Sequence, residues 1–365
     1  MTLTSFKPRP AAMATLALTA LTALLCGPSR AEPDVLERPA MQSAKAAGSV
    51  LLALAQAGTR LVAAGERGII IWSDDGGASW RQASVPVSVS LTALRFTSAR
   101  DGWALGHSGV LLRTRDGGQT WAKQMDGKQA AALVLNAAKA AGAQGPALAE
   151  AKAEAERMVA DGPSKPFLDL HFFDAQNGLL IGAFGLLFAT ADGGQTWQPA
   201  QQRVANPQGK HLYSIVGDGA TCLIAGEQGA VYRSTDMGKT FTTLATGYEG
   251  SYFGALALSP RGALVFGMRG NVRRSDDAGA TWQKSEIPAS ASITAGLRLR
   301  DASLLLADET GQLYRSTDEG KRFVHIAPPQ PSPFTAVVQH GDGKLLLSGV
   351  RGITSVALNS IKAQP

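Results

Sequence analysis

The octapeptide SDDGGASW, Ser73 to Trp80, decides the fold because the chain repeats it. It returns as TRDGGQTW (Thr114 to Trp121), TADGGQTW (Thr190 to Trp197), STDMGKTF (Ser234 to Phe241), SDDAGATW (Ser275 to Trp282) and STDEGKRF (Ser316 to Phe323). The start-to-start spacings are 41, 76, 44, 41 and 41 residues. A fixed period of this length marks a repeat architecture, interrupted here by a single insertion of about 35 residues.

Around each octapeptide, short apolar runs alternate with Gly-rich turns. In Leu256 to Trp282 the runs are ALALS, ALVFG and NVRRS, followed by the octapeptide and a polar run. Four short strands per unit of about 40 residues is the pattern of a propeller blade, which cannot bury its two faces alone. Six units carry the octapeptide. A seventh, Phe334 to Leu358, supplies FTAVVQ, KLLLSG and ITSVAL without it. The expectation is an all-β, seven-bladed β-propeller over residues 32–365. An N-terminal segment of about 34–46 is expected to close the last blade, with a fourth strand near Asp34 to Met41.

The octapeptide has its own physical logic. Its Asp (Asp75, Asp116, Asp192, Asp236, Asp277 and Asp318) can accept hydrogen bonds from backbone N–H groups just downstream, and its Gly can adopt φ > 0. The aromatic that follows (Trp80, Trp121, Trp197 and Trp282, with Phe241 and Phe323 in the other two) anchors the outer strand. This pattern is similar to the Asp-box, or BNR, repeat of sialidases and other propellers, where it lies between the third and fourth strands. It is a folding staple and carries no chemistry of its own.

Residues 1–31 read as a cleaved secretory signal. Lys7 and Arg9 precede an apolar run from Ala11 to Cys26, and Ser29-Arg30-Ala31 supplies small residues before the cleavage point. Lipidation at Cys26 is the alternative, disfavoured by the bulky Leu25 before it. A periplasmic protein, peripheral at most to a membrane and monomeric, is expected. Cleavage lowers the formal charge from +6 to +3 and leaves Cys222 as the sole cysteine, so no intramolecular disulfide is possible. Arg, Lys, Asp and Glu are interspersed with no basic stripe, which argues against nucleic acid.

Beyond the repeats, DVLERPAMQSAKAA, VAAGERG (Val62 to Gly68), DGWALGHSG (Asp101 to Gly109) and GMRGNVRRSDDAG (Gly267 to Gly279) resemble the photosystem II assembly-factor-like propeller family, non-photosynthetic bacterial type. The similarity covers nearly all of residues 34–358. It implies a non-catalytic extracytoplasmic factor that holds a membrane protein or its extracytoplasmic segment through an arginine-rich patch, without cofactor or metal. In non-photosynthetic bacteria it implies a client such as an RND-type exporter. The Ala-rich insertion at about 127–162, read as a helical hairpin from GKQAAALVLNAAKAAG and GPALAEAKAEAERMVADG, departs from the family.

The turns between second and third strands fall on the face opposite the Asp-boxes, and their inner residues vary while the glycines persist. They read Glu66-Arg67, His107-Ser108, Ala183-Phe184, Glu227-Gln228, Met268-Arg269, Asp308-Glu309 and Val350-Arg351. Scaffold turns need Gly for φ > 0 regardless of function. A variable ring on a fixed frame is also how a binding surface is built. Glu66, Arg67, Phe184, Arg269 and Arg273 are the partner-binding candidates, with the loop Tyr248 to Gly254 on the same face. Arg113, Arg233, Arg274 and Arg315 recur one residue before a box, which favours a scaffold role.

The alternative is a sialidase-like or other glycoside hydrolase. A sialidase needs an Arg-Ile-Pro element near its N-terminus, which is absent, and no spacing singles out a carboxylate pair. His107, His171, His211, His325 and His340 show no metal-ligand spacing.

Overall fold

A computed structural model describes Thr2 and residues 34–140, 146–328 and 330–358. The signal segment and Cys26 lie outside the described residues, apart from Thr2. Seven antiparallel sheets follow one another along the chain. In the first, β1 (Leu51–Ala57), β2 (Arg60–Gly65), β3 (Ile70–Ser73) and β4 (Arg81–Gln82) pair in sequence order. The innermost strands of the others are Leu91–Phe96, Phe167–Phe172, Leu212–Asp218, Tyr252–Ala257, Ile293–Arg298 and Phe334–His340. Each contacts the next, and the last contacts β1, so the seven blades close into a ring.

Packing between blades supplies the core. Val62, Ala64, Ile70 and Trp72 of blade one meet Leu91, Leu94, Ala104 and Leu112 of blade two in one buried layer, and comparable layers separate the other blades. These strands are rich in β-branched and leucine residues because both faces of every sheet are covered.

All six octapeptides lie between third and fourth strands. In the third box, Asp192 accepts from the N–H of Gln195 and Thr196 (both 2.9 Å) and from the hydroxyls of Thr190 (2.8 Å) and Thr196 (2.6 Å). The Thr190 hydroxyl in turn accepts from Gly194 N–H (2.9 Å). Asp75, Asp116, Asp236, Asp277 and Asp318 repeat the scheme with small variations. Asp192→Ala should cost about 1 kcal/mol, the low end for a charged hydrogen-bond acceptor, because several of its bonds are solvent-exposed. A urea midpoint equal to wild type would refute the staple.

These bonds also set an acid limit. Donation from Thr196 holds the Asp192 carboxyl down at about 2, and donation from Thr281 does the same for Asp277. A depressed carboxylate contributes stability that is complete above its unfolded value of about 3.9 and lost as the pH falls through the folded one. The urea midpoint should therefore fall between about pH 4 and pH 2, and by less in Asp192→Asn.

The seventh sheet differs from the expectation. Among the described residues it has three strands, Phe334–His340, Lys344–Gly349 and Gly352–Ala357, with no fourth from Asp34 to Met41. That segment runs instead along blade one's outer edge. Ser88 N–H donates to Val35 O (2.9 Å), Ala40 N–H to Val85 O (3.0 Å) and the Gln82 amide to Met41 O (2.9 Å). The physical reason is Leu36, 1% exposed, which together with Ala40 fills the layer between blades one and two. Only the short turn Ala46–Gly48 returns to the last blade, where it packs on Gly352–Ala357. The seam is then held by side chains. Thr335 Oγ1 donates to Leu51 O (2.7 Å), Gln56 Nε2 to Gln339 O (2.9 Å) and Lys344 Nζ to Gly76 O (2.6 Å).

The insertion forms two packed helices, α1 (Gly127–Ala140) and α2 (Pro146–Ala160). Asp126 caps α1, its Oδ1 accepting from the N–H of Lys128 and Gln129 while the Gln129 side chain accepts from Asp126 N–H. Ala130, Ala131 and Met158 anchor the pair in the layer between blades two and three.

Cys222 is buried, and burial pushes its thiol up to about 12. Alkylation at pH 8 should therefore proceed only through unfolding, with complete modification in denaturant. Rapid labelling of the native protein would show that the junction of blades three and four, where Cys222 packs, opens.

Candidate partner-binding face

The two faces of the ring are distinguished by what their turns bond. Asp-box turns take hydrogen bonds to loops that join first and second strands: Gly117 N–H to Arg100 O, Gly193 N–H to Gln176 O, Met237 N–H to Ala220 O and Ala278 N–H to Arg261 O. The turns between second and third strands bond residues leading into the innermost strand. Glu66, His107, Ala183, Glu227, Met268, Glu309 and Val350 each donate N–H to a carbonyl there, namely Val50, Ser90, Pro166, His211, Ser251, Ser292 and Pro333. Helix α1 leaves from the same side, beside Ser108 and Gly109.

Five of these turns have two successive left-handed residues, as a type I′ turn requires. They are Arg67-Gly68, Ser108-Gly109, Phe184-Gly185, Gln228-Gly229 and Arg269-Gly270. The turn centre is thus one residue later than the sequence suggested. The non-Gly member sits at φ between 50 and 57°, where an L residue costs about 1 kcal/mol or more. The scaffold alone would favour Asn or Gly at that position.

Glu66, Arg67, Phe184 and Arg269 are exposed on this face, but they stand on blades one, three and five and form no single patch. Arg273 is not among them. It is half-buried between blades four and five, where its Nη2 donates to Gly247 O (3.2 Å). Tyr248 supports the Arg269 turn, its hydroxyl donating to Met268 O (3.0 Å).

Phe184 has the most developed surroundings. It is 55% exposed, and its N–H donates to His211 Nδ1 (3.1 Å). Its ring lies 4.7 Å from the His211 ring, His211 is 6.0 Å from Tyr213, and Tyr213 is 5.7 Å from Phe253, all edge to face. Lys165 Nζ sits 5.2 Å from the Phe184 centroid. Tyr213 and Phe253 line the central cavity of about 260 Å³ together with Leu52, Leu168 and Thr92. The aromatic series therefore steps from the rim into the channel. Sequence reasoning missed His211 and Tyr213; their signal was position, since Leu52, Thr92, Leu168, Tyr213, Phe253, Thr294 and Thr335 are each the second residue of an innermost strand.

The family model described as photosynthesis system II assembly factor YCF48 matches residues 73–150 and 148–330. A photosystem II assembly lipoprotein Ycf48 from Synechococcus sp. (strain CC9902) is 34% identical over 77 residues, which is 21% of this chain and only 23% of that protein. Among solved structures, YCF48 from Cyanidioschyzon merolae superposes with a TM-score of 0.61 at 15% identity, covering 87% of this chain and 97% of that one. YCF48 bound to D1 peptide matches at a TM-score of 0.47 and 22% identity, over 53% of this chain and 64% of that one. The family model covers well over half of the sequence, and the chain belongs to the photosynthesis system II assembly factor YCF48 family.

Proposed function

We propose that this protein is a non-catalytic assembly factor that holds a segment of a membrane protein from the extracytoplasmic side, using the face that carries the type I′ turns. The observation that carries this reading is Phe184, an exposed aromatic held in a left-handed turn at the head of an aromatic series that enters the channel. Aromatic and Arg side chains are the usual anchors of protein interfaces. The family supports the assembly role, and a relative has been solved with a D1 peptide bound. The signal-like N-terminus supports a periplasmic location. An envelope complex such as an RND-type exporter is the first client to test.

Crosslinking in the native envelope, followed by identification of the captured protein, would supply a client peptide for titration. Phe184→Ala should weaken its binding by about 30-fold, the equivalent of losing one interface anchor. Arg269→Ala and deletion of residues 128–161 test the rest of the face. Unchanged affinity in all three, with loss on mutating the Asp-box face, would overturn the assignment. Turnover of glycosides by the purified protein would overturn the non-catalytic reading.

A further inference from the structure

Blade seven differs from its neighbours at the outer edge. In blades one, three, four and five, the carbonyl that opens the third strand accepts from the residue just past the fourth. Ala83 N–H donates to Ile70 O (2.8 Å), Ala200 N–H to Leu187 O (2.8 Å), Leu244 N–H to Val231 O (2.8 Å) and Ser285 N–H to Val272 O (3.0 Å). Ile353 holds this position in the last blade, because it pairs with Ser348 as Ile70 pairs with Ala64, each one residue before the Gly that ends the second strand. Leu358 N–H donates to Gly343 O (2.8 Å) and ladder bonds alternate, so Thr354 and Val356 bond inward while Ile353 and Ser355 turn N–H and C=O outward. Those outward groups have no partner among the described residues. Exposed edges are usually blunted by a charge or a Pro, yet Ile353 to Val356 reads ITSV.

The aromatic of the first box registers the same difference. Trp121 shares a buried layer with Val85, Trp197 with Met125 and Trp282 with Leu244, and each of these apolar partners comes from the preceding blade's fourth strand or the few residues after it. The blade before Trp80 is the seventh, which has no such strand among the described residues. Trp80 is half-buried, and against it lies a cleft of about 420 Å³, lined also by Ile71, Gln42, Gln82 and Ala44 and by no ionisable side chain among the described residues. The turn Ala46–Gly48, part of the cleft wall, packs on Gly352–Ala357, and Ile353 and Trp80 belong to one layer. Edge and cleft are therefore contiguous.

We infer that the outer edge of blade seven is a docking site for an extended, uncharged segment of a second polypeptide, which adds the fourth strand. Its backbone pairs with Ile353 and Ser355, and one aliphatic side chain enters the cleft on Trp80, the place that Leu244 takes beside Trp282. The other blades identify the occupant, because each closes the same edge and covers the next aromatic with one short strand. The N-terminal segment could take that place only by giving up its bonds to Gln82, Val85 and Ser88 of blade one and the burial of Leu36. The site lies on the rim and does not depend on the proposed role of the face that carries the type I′ turns.

A synthetic peptide FTTLATG, the sequence of residues 241–247, carries the blade-four solution and serves as the probe. Added to the full chain, it should shift the NMR signals of the Ile353 and Ser355 amides and of the Trp80 indole. N-methylation of the peptide's Leu removes the N–H that would meet Ile353 O, and its replacement by Ala empties the cleft; each should weaken binding about 10-fold. Trp80→Ala should weaken it by a similar factor, whereas Phe184→Ala should leave it unchanged. Ser355→Pro should abolish binding with little change in the urea midpoint, since the lost N–H points away from the sheet, which keeps the site testable should Trp80→Ala misfold. Absence of any shift at Ile353 and Ser355 under excess peptide would overturn the inference, as would equal binding of the N-methylated peptide. So would a concentration-dependent dimer that Ser355→Pro dissociates, which would put a second copy of this chain on the edge.

Discussion

Trp121→Ala is expected to lower stability by about 3 to 5 kcal/mol, the cost of removing a fully packed tryptophan from a core. Trp121 is 6% exposed and meets Phe96 edge to face at 6.1 Å. Its Nε1 donates to Gly118 O (3.0 Å) inside its own box, and its ring belongs to the layer that also contains Val62, Val85 and Leu112. Removing it empties a junction between two blades and strips the box of its anchor. Trp80, at the same position of the first box, is only half-buried, so Trp80→Ala should cost roughly half as much on the same area argument. Urea denaturation of both variants provides the check. Equal losses would mean that burial at the junction does not set the anchor's contribution.

Gly352→Val should destabilise by about 3 kcal/mol, the upper range for a non-glycine residue forced into a left-handed conformation, here β-branched as well. Gly352 has φ +84°, and a Cβ there would stand 2.0 Å from Ala47 O. The obstructing atom is backbone, in the turn that brings the N-terminal segment onto the last blade. The variant must therefore distort either the sheet or the seam. Gly341→Val makes a useful control: φ is +60°, but no atom lies within 4 Å of its Cβ position, so only the backbone strain remains. Thermal unfolding that ranks the two variants in the opposite order would show that the seam is looser than its packing implies.

The propeller was legible because the Asp-box combines a sterically required Gly, a hydrogen-bonding Asp and an aromatic at fixed spacing, so local chemistry and global period agree. The seventh blade was legible as three apolar runs. The position of Leu36 was not, because a buried leucine on an irregular segment carries no periodic signal. The candidate face was legible as a ring of variable residues between glycines, which found Phe184 and Arg269. How Arg273 sits was not legible, because strand position alone does not tell that its long side chain reaches Gly247 O. His211 and Tyr213 meet Phe184 only through stacking of neighbouring blades, a relation between residues that no single repeat displays.

The clasp from Thr335 to Leu51 joins residues 284 positions apart. As the chain is made or threaded from its N-terminus, blade one is the first to emerge and the last to be covered. Leu54, Leu61 and Ile71 must wait for Leu346 and Ile353 before their outer side is dry. Blades three to six each gain their next neighbour about 40 residues later, and blade two gains its own 76 residues later, across the insertion. The nascent protein thus carries an adhesive apolar flank through nearly all of its synthesis, and whatever shields that flank until residue 353 arrives governs how much of the chain becomes a ring and how much aggregates.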